Sequence, residues 1–237
     1  EHAIDAFEMA SLDYLLKPVT VDRMENTISR LIQRMRVEVI PSFMIITTPT
    51  LVIHVPSQNH APLRWRTEKA KQVFLYLLLH ANQPVLRDTL TDIFWDGFAQ
   101  QKAAGQLHTT VYLIRKLCAP LEQSLEILSR NGTYTLTIAT NLVDFLTLRN
   151  VVDGVLQGTR VLMPADLALF ESFCADLLTD VTDIWVETYR AEVDFLLQGI
   201  SKFLKSNAVF YVNNRPLRIA CDAFLGKYER LFREDNA

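Results

Sequence analysis

Between residues 68 and 78 the apolar side chains Ala70, Val73, Phe74, Leu77 and Leu78 recur at intervals of three and four, the spacing that lines one face of an α-helix. Thr67 stands where an N-cap is needed, and Asn82-Gln83-Pro84 ends the segment with turn formers and a residue that cannot continue a helix. The same periodicity predicts a second helix near residues 87–95 and, after Asp96-Gly97, a third near residues 101–118. The period then falls to two. Leu125-Glu126-Ile127-Leu128-Ser129 and Thr133-Tyr134-Thr135-Leu136-Thr137-Ile138 flank Arg130-Asn131-Gly132, and Asn-Gly tolerates the positive φ of a tight hairpin turn. Three helices closed by a hairpin predict a winged helix-turn-helix over residues 63–138. Residues 37–62, rich in β-branched positions broken by Pro49, Pro56 and Pro62, are assigned to a linker and N-terminal strands.

The flanking segments read differently. At the start, a helical fragment with Ile4, Ala6 and Phe7 precedes the short apolar strand Leu12-Asp13-Tyr14-Leu15-Leu16, then Lys17-Pro18, then a helix opened by Thr20 and carrying Met24, Ile28, Leu31 and Met35. That order over residues 1–36 suits the last part of a parallel α/β sheet. Residues 142–237 are predicted to be helical, with Phe145, Leu148, Val152 and Val155 on one helix. Tyr189, Val193, Leu196, Ile200 and Phe203 mark a second, and Leu217, Cys221, Phe224, Tyr228 and Leu231 a third. Antiparallel helix pairs of tetratricopeptide type fit this block, although no repeat of fixed 34-residue period is present. The fold class is therefore mainly α with small β-sheets: a winged helix followed by a tetratricopeptide-like helical domain and preceded by a partial α/β segment.

Composition changes this picture in one respect. The net charge of -3 hides a gradient: residues 1–62 hold 5 Lys+Arg against 7 Asp+Glu, residues 63–138 hold 9 against 6, and residues 139–237 hold 10 against 14. Only the middle is basic, which is where an electrostatic footprint for phosphate belongs. No apolar run is long enough to span a membrane and the start lacks a signal-peptide succession, so a cytoplasmic location is expected. Cys118, Cys174 and Cys221 are far apart and set among apolar residues, and read as reduced core thiols.

The candidate chemistry lies on the third predicted helix. With Leu107 at the centre of its buried face, Ala103, Ala104, Val111, Ile114 and Cys118 fall within about 60° of it. The opposite face carries Lys102, Gly105, Thr109, Tyr112 and Lys116, flanked by Gln106 and Leu113 on one side and His108 and Arg115 on the other. Glutamine pairs with adenine and threonine offers a hydroxyl or a methyl to thymine, so this surface suits a major groove. Arg130 at the hairpin tip is placed to reach a neighbouring minor groove or phosphate. Trp95 is either buried or an indole donor to phosphate.

The residues Ala6-Phe7-Glu8 through Asp13-Tyr14-Leu15-Leu16-Lys17-Pro18 resemble the end of a CheY-like receiver domain. The resemblance implies that Lys17 contacts an aspartyl phosphate and that Tyr14 reorients on activation, while the phosphoacceptor aspartate and the early acidic residues are expected to precede Glu1. Trp65-Arg66-Thr67, Leu75 to His80, Pro84-Val85, Phe94-Trp95, Val111 to Leu117 and Gly132-Thr133-Tyr134 resemble the OmpR-type winged helix of response regulators and of streptomycete antibiotic regulatory proteins. By that resemblance base contacts fall to Thr109 and Leu113, and phosphate contacts to Thr110, Tyr112 and Arg115. Leu113 departs from the basic residue frequent at its position. Leu169-Phe170, Leu177-Leu178 and Trp185 followed by Arg190 resemble the bacterial transcriptional activator domain, whose further helix pairs would follow Phe232.

These features together predict a DNA-binding transcription regulator of a bacterial two-component phosphorelay. Its expected partners are duplex DNA, RNA polymerase or a second copy on DNA, and a sensor kinase. The rival is a helical scaffold whose winged helix binds protein instead of DNA; the charge on the third helix and wing discriminates the two. Catalysis is not expected, because the chain lacks a P-loop, a G-x-G-x-x-G and an H-E-x-x-H, and His2, His54, His60, His80 and His108 are not paired at metal spacing, so no cofactor or metal is called for. Asp180, Asp183 and Glu187 read as the solvated start of a helix.

Overall fold

The computed structural model describes residues 45–55, 61–121, 124–208, 211 and 214–234. The receiver-like segment, with Tyr14 and Lys17, lies outside the described residues.

Three short strands come first: β1 (Ile45–Ile46), β2 (Val52–Val55) and β3 (Ala61–Pro62), antiparallel in that order. Helix α1 (Glu68–Leu79) follows, capped as the sequence requires by Thr67, whose hydroxyl accepts from the Ala70 amide at 3.2 Å. β4 (Val85–Leu86) leads into α2 (Arg87–Phe94), and α3 (Gln100–Cys118) is the long third helix. The hairpin of β5 (Leu125–Arg130) and β6 (Thr133–Ile138) turns through Asn131 and Gly132 at φ 48° and 73°, the left-handed pair anticipated from Asn-Gly. β4 joins the far edge of β6, pairing Val85 with Tyr134 and Leu86 with Thr133, so the sheet order is β4-β6-β5. Asn82, at φ 65°, seats α1 on that sheet: its side chain donates to the Ile138 carbonyl at 2.9 Å and accepts from the Ile138 amide at 3.1 Å.

The helical module comprises α4 (Asp144–Leu156), α5 (Pro164–Ser172), α6 (Glu187–Ser206) and α7 (Arg215–Glu234). α5 lies within the block read as helical, without a periodic stretch of its own to mark it. Leu167, Leu169 and Phe170 are all buried, and with apolar residues on nearly every side of a nine-residue helix no amphipathic period shows. Asp166 fixes its first turn by accepting from the Met163 amide at 2.8 Å and from Arg160 at 2.7 Å. α4 and α6 are joined by the bidentate pair Arg149–Glu192, at 2.6 and 2.8 Å, and Phe170 of α5 meets Phe224 of α7 edge-on at 5.6 Å.

One continuous core runs from Ile45 to Tyr228 and joins the two modules. The reason is visible in α1. Its predicted face packs toward α3, but Leu75 and Leu79 are buried too, so the helix is wrapped from a second side. At that second side, Trp185 lies edge-on to Tyr76 at 5.4 Å and to Phe94 at 6.0 Å. His80 stacks on Tyr76 at 4.4 Å and meets the Tyr189 hydroxyl at 3.1 Å. Asp180 pairs with Lys71 and Asp183 accepts from Gln72, both on α1, while Glu187 pairs with Arg190. The acidic stretch read as a solvated helix start is thus corrected in part: Glu187 is the exposed first residue of α6, but Asp180 and Asp183 lie in the loop ahead of it and clasp α1 of the winged helix. Arg190 holds the loop in place by donating to the carbonyls of Leu177, Leu178 and Val181.

The N-terminal sheet is bound to the helical module as well. Buried Asp144, in the first turn of α4, accepts from the Thr47 amide and hydroxyl, both at 2.8 Å, and from the Phe145 amide at 2.7 Å. Burial pushes its carboxyl up to about 6 against the opposite pull of those hydrogen bonds. Thr47 and Pro49 return carbonyls to the Leu178 and Thr179 amides, at 3.1 and 2.7 Å.

Candidate nucleic-acid interface

α3 presents two sharply different faces because its apolar residues fall at helical spacing. Ala103, Leu107, Val111, Ile114 and Cys118 are buried against α1 and α2, and Ala104 is half-buried at the margin. Burial also pushes the Cys118 thiol up to about 12, and those of Cys174 and Cys221 to about 11, so all three are protonated core residues with no disulfide. Trp95 is buried beside Phe94, which resolves its two readings in favour of the core.

On the other face Lys102, Gly105, Gln106, His108, Thr109, Tyr112 and Lys116 are exposed. Tyr112 is 59% exposed, too open for a core aromatic. The Thr109 hydroxyl donates to the Gly105 carbonyl at 3.0 Å, which spends its proton and leaves a methyl and lone pairs outward. Nothing lies within 4 Å of where a Gly105 side chain would stand, so a flat strip runs along the helix between Lys102 and Thr109. Lys102 sits over the half-exposed ring of Phe98, 5.3 Å from its centroid. Arg130 is exposed at the hairpin tip.

Three expected site residues stand apart from this strip. Thr110 is buried, and its hydroxyl donates to the Gln106 carbonyl at 2.8 Å, so its assignment as a phosphate contact is corrected: one helical step of 100° carries it from the exposed strip into the seat. Leu113 is half-buried on the flank. Arg115 is exposed but directs its Nε to the Ile127 carbonyl of β5 at 2.9 Å, tying the helix to the wing. This contact joins residues of different elements and has no local signal in the sequence.

Among the described residues no cluster of histidine, cysteine and carboxylate could hold a metal ion, and no helix is long and apolar enough to cross a membrane. A cavity of about 240 Å³ opens on α2, lined by Asp88, Asp92, Asp96, Trp95 and Phe98.

No family model matches the chain, and no curated protein matches it. Among solved structures it is similar to EmbR of Mycobacterium tuberculosis, solved in complex with a low-affinity phosphopeptide, at 17% sequence identity and a TM-score of 0.52. The likeness covers 80% of this chain and 59% of EmbR. At that identity it shows the fold, a winged helix joined to a helical tetratricopeptide-like module.

Proposed function

We propose that the protein is a DNA-binding transcription regulator that lays α3 in the major groove of duplex DNA and reaches the adjacent backbone with the β5–β6 wing. The observation that supports this most is the exposed strip of Lys102, Gln106, Thr109, Tyr112 and Lys116 on a helix whose other face is sealed into the core. Gln106 and Thr109 supply base-edge groups. Lys102, Tyr112, Lys116 and Arg130 supply phosphate contacts. The shared fold with EmbR is consistent with this reading.

The surface charge is small, so one copy neutralises few phosphates, and tight binding calls for two copies on repeated half-sites or for help from RNA polymerase. The receiver-like residues Tyr14 and Lys17 extend the proposal to a two-component phosphorelay with a sensor kinase upstream.

The test is selection of bound duplexes from a random pool, followed by affinity against salt. Lys102→Ala, Lys116→Ala and Arg130→Ala should each lower the slope of log K on log salt by about 0.9. Failure of the chain to bind any duplex at low salt would instead favour the protein-binding scaffold. Sedimentation on and off DNA reads the copy number; a monomer at every occupancy removes the paired-site version.

A further inference from the structure

The bond from Arg115 to Ile127 has a geometry that assigns it a role. The hairpin closes on the pair Arg130–Thr133 across a two-residue turn, so that pair exchanges backbone hydrogen bonds and the pairs up the ladder alternate. Arg130 and Leu128 therefore turn their amides and carbonyls toward β6, and Ser129, Ile127 and Leu125 turn theirs away. β6 shows the matching alternation on its other side, where Tyr134 pairs with Val85, and Leu136 and Ile138 meet Asn82. β5 has β6 as its one neighbour in the sheet, so the Ile127 carbonyl lies on a free edge. Arg115 crosses the cleft between α3 and that edge, about 180 Å³ in volume and floored by Cys118 and Leu125, and caps the carbonyl.

With its Nε given to the Ile127 carbonyl, the Arg115 side chain is directed toward the wing. Ile127 is three residues from Arg130 along one strand, about 10 Å at strand rise, so fixing Ile127 to α3 fixes how far the tip stands from the exposed strip of the helix. On the proposed DNA-binding reading, we infer that Arg115 is a positioning residue: it locks the wing to α3 and sets the reach of Arg130, and it does not itself hold a phosphate. The phosphate assignment that family resemblance gives to Arg115 passes to Arg130 and Lys116.

The experiment uses the whole chain, a duplex selected by that chain, and the variants Arg115→Ala, Arg130→Ala and the double. A charge-assisted hydrogen bond to a partly buried carbonyl is strong enough that its loss should speed amide exchange in β5 and at the hairpin tip by about tenfold or more, with α1 unchanged. Arg115→Ala and Arg130→Ala should then weaken binding by similar factors and each remove about 0.9 from the salt slope, and the double should remove no more than either alone. If Arg115 contacts phosphate, the double loses about 1.8, and that additivity overturns the proposal. Arg115→Lys serves where the alanine variant does not fold: it keeps the charge but not the planar Nε–H, so retention of the full salt slope and wild-type exchange also overturns it. A chain that binds no duplex sinks the DNA-binding reading, whereas the exchange measurement still decides whether Arg115 holds the wing; unchanged exchange refutes that.

Discussion

Trp185→Ala tests the joint on which the single core depends. The indole makes edge-on contacts with Tyr76, Phe94 and Tyr189, at 5.4, 6.0 and 6.3 Å, and is half-buried between α1 and the start of α6. Each such contact contributes about 0.5–1.5 kcal/mol beyond area burial, so three together contribute roughly 3 kcal/mol. A fully buried tryptophan truncated to alanine costs about 3–5 kcal/mol, and partial exposure places Trp185 at the lower end of that range. For a chain of this size the loss corresponds to about 6–12 °C in melting temperature. The assay is denaturant unfolding followed by far-ultraviolet circular dichroism and by calorimetry. The parent should unfold in one transition because α1 is core to both modules, and the variant should separate into two, the helical module and the winged helix melting apart. A variant that loses less than about 1 kcal/mol and still unfolds in one transition would refute the claim that this aromatic joint couples the modules.

Three other outcomes are expected. Gly105→Ala should stabilise the chain by about 1 kcal/mol, since alanine is the better helix former and the added methyl meets no protein atom, yet weaken duplex binding by at least about threefold if the strip is seated closely; equal or tighter binding would remove Gly105 from the interface. Asn82→Ala, which loses both bonds to Ile138 and sits at φ 65°, should cost about 2–3 kcal/mol in denaturant unfolding, and Asn82→Asp, which keeps the accepted bond but sets a carboxylate oxygen against the Ile138 carbonyl, should also destabilise. For Asp144 the carboxyl is raised on folding from the ordinary 3.8 to about 6, so the native state holds the extra proton between those values. The contribution of this group is therefore present below about pH 4 and is lost as pH rises through 6, by about 3 kcal/mol. Stability curves of the parent and Asp144→Asn between pH 4 and 7 should diverge in that direction, and parallel curves would contradict it.

What the sequence disclosed and what it hid follow from the range of the interactions involved. The α1 cap, the three helices of the winged helix, the Asn131-Gly132 turn and the two-faced α3 all depend on neighbours within a turn or a hairpin, and Thr67, Leu107 and Gly132 announce them locally. Apart from α5, whose nine residues show no amphipathic period, the features missed are those set by distant partners. β4 is two residues long and exists because β6 offers it an edge. Asp180 and Asp183 look like solvent-facing charge until α1 places Lys71 and Gln72 opposite them. Leu75 and Leu79 widen the apolar face of α1 beyond what one neighbour needs, and that surplus was the one visible sign of a second neighbour.

The same distinction governs the interface. An exposed face is a local property, so Lys102, Gln106, Thr109, Tyr112 and Lys116 could be read from helical angle alone, whereas the partner of a long flexible cation could not. Arg115 and Arg130 are both exposed arginines in a basic segment and look equivalent in sequence. In the fold, Arg115 gives its Nε to the carbonyl of a strand edge, whereas Arg130 closes the hairpin at the end of β5 with its side chain exposed. A winged helix with few cations has reason to divide the work this way. On the proposed DNA-binding reading, with little charge to spread over phosphate, affinity would depend on presenting each charge at a fixed distance from the exposed strip of α3, and an arginine that removes a degree of freedom from the wing would contribute as much to binding as one that touches the duplex.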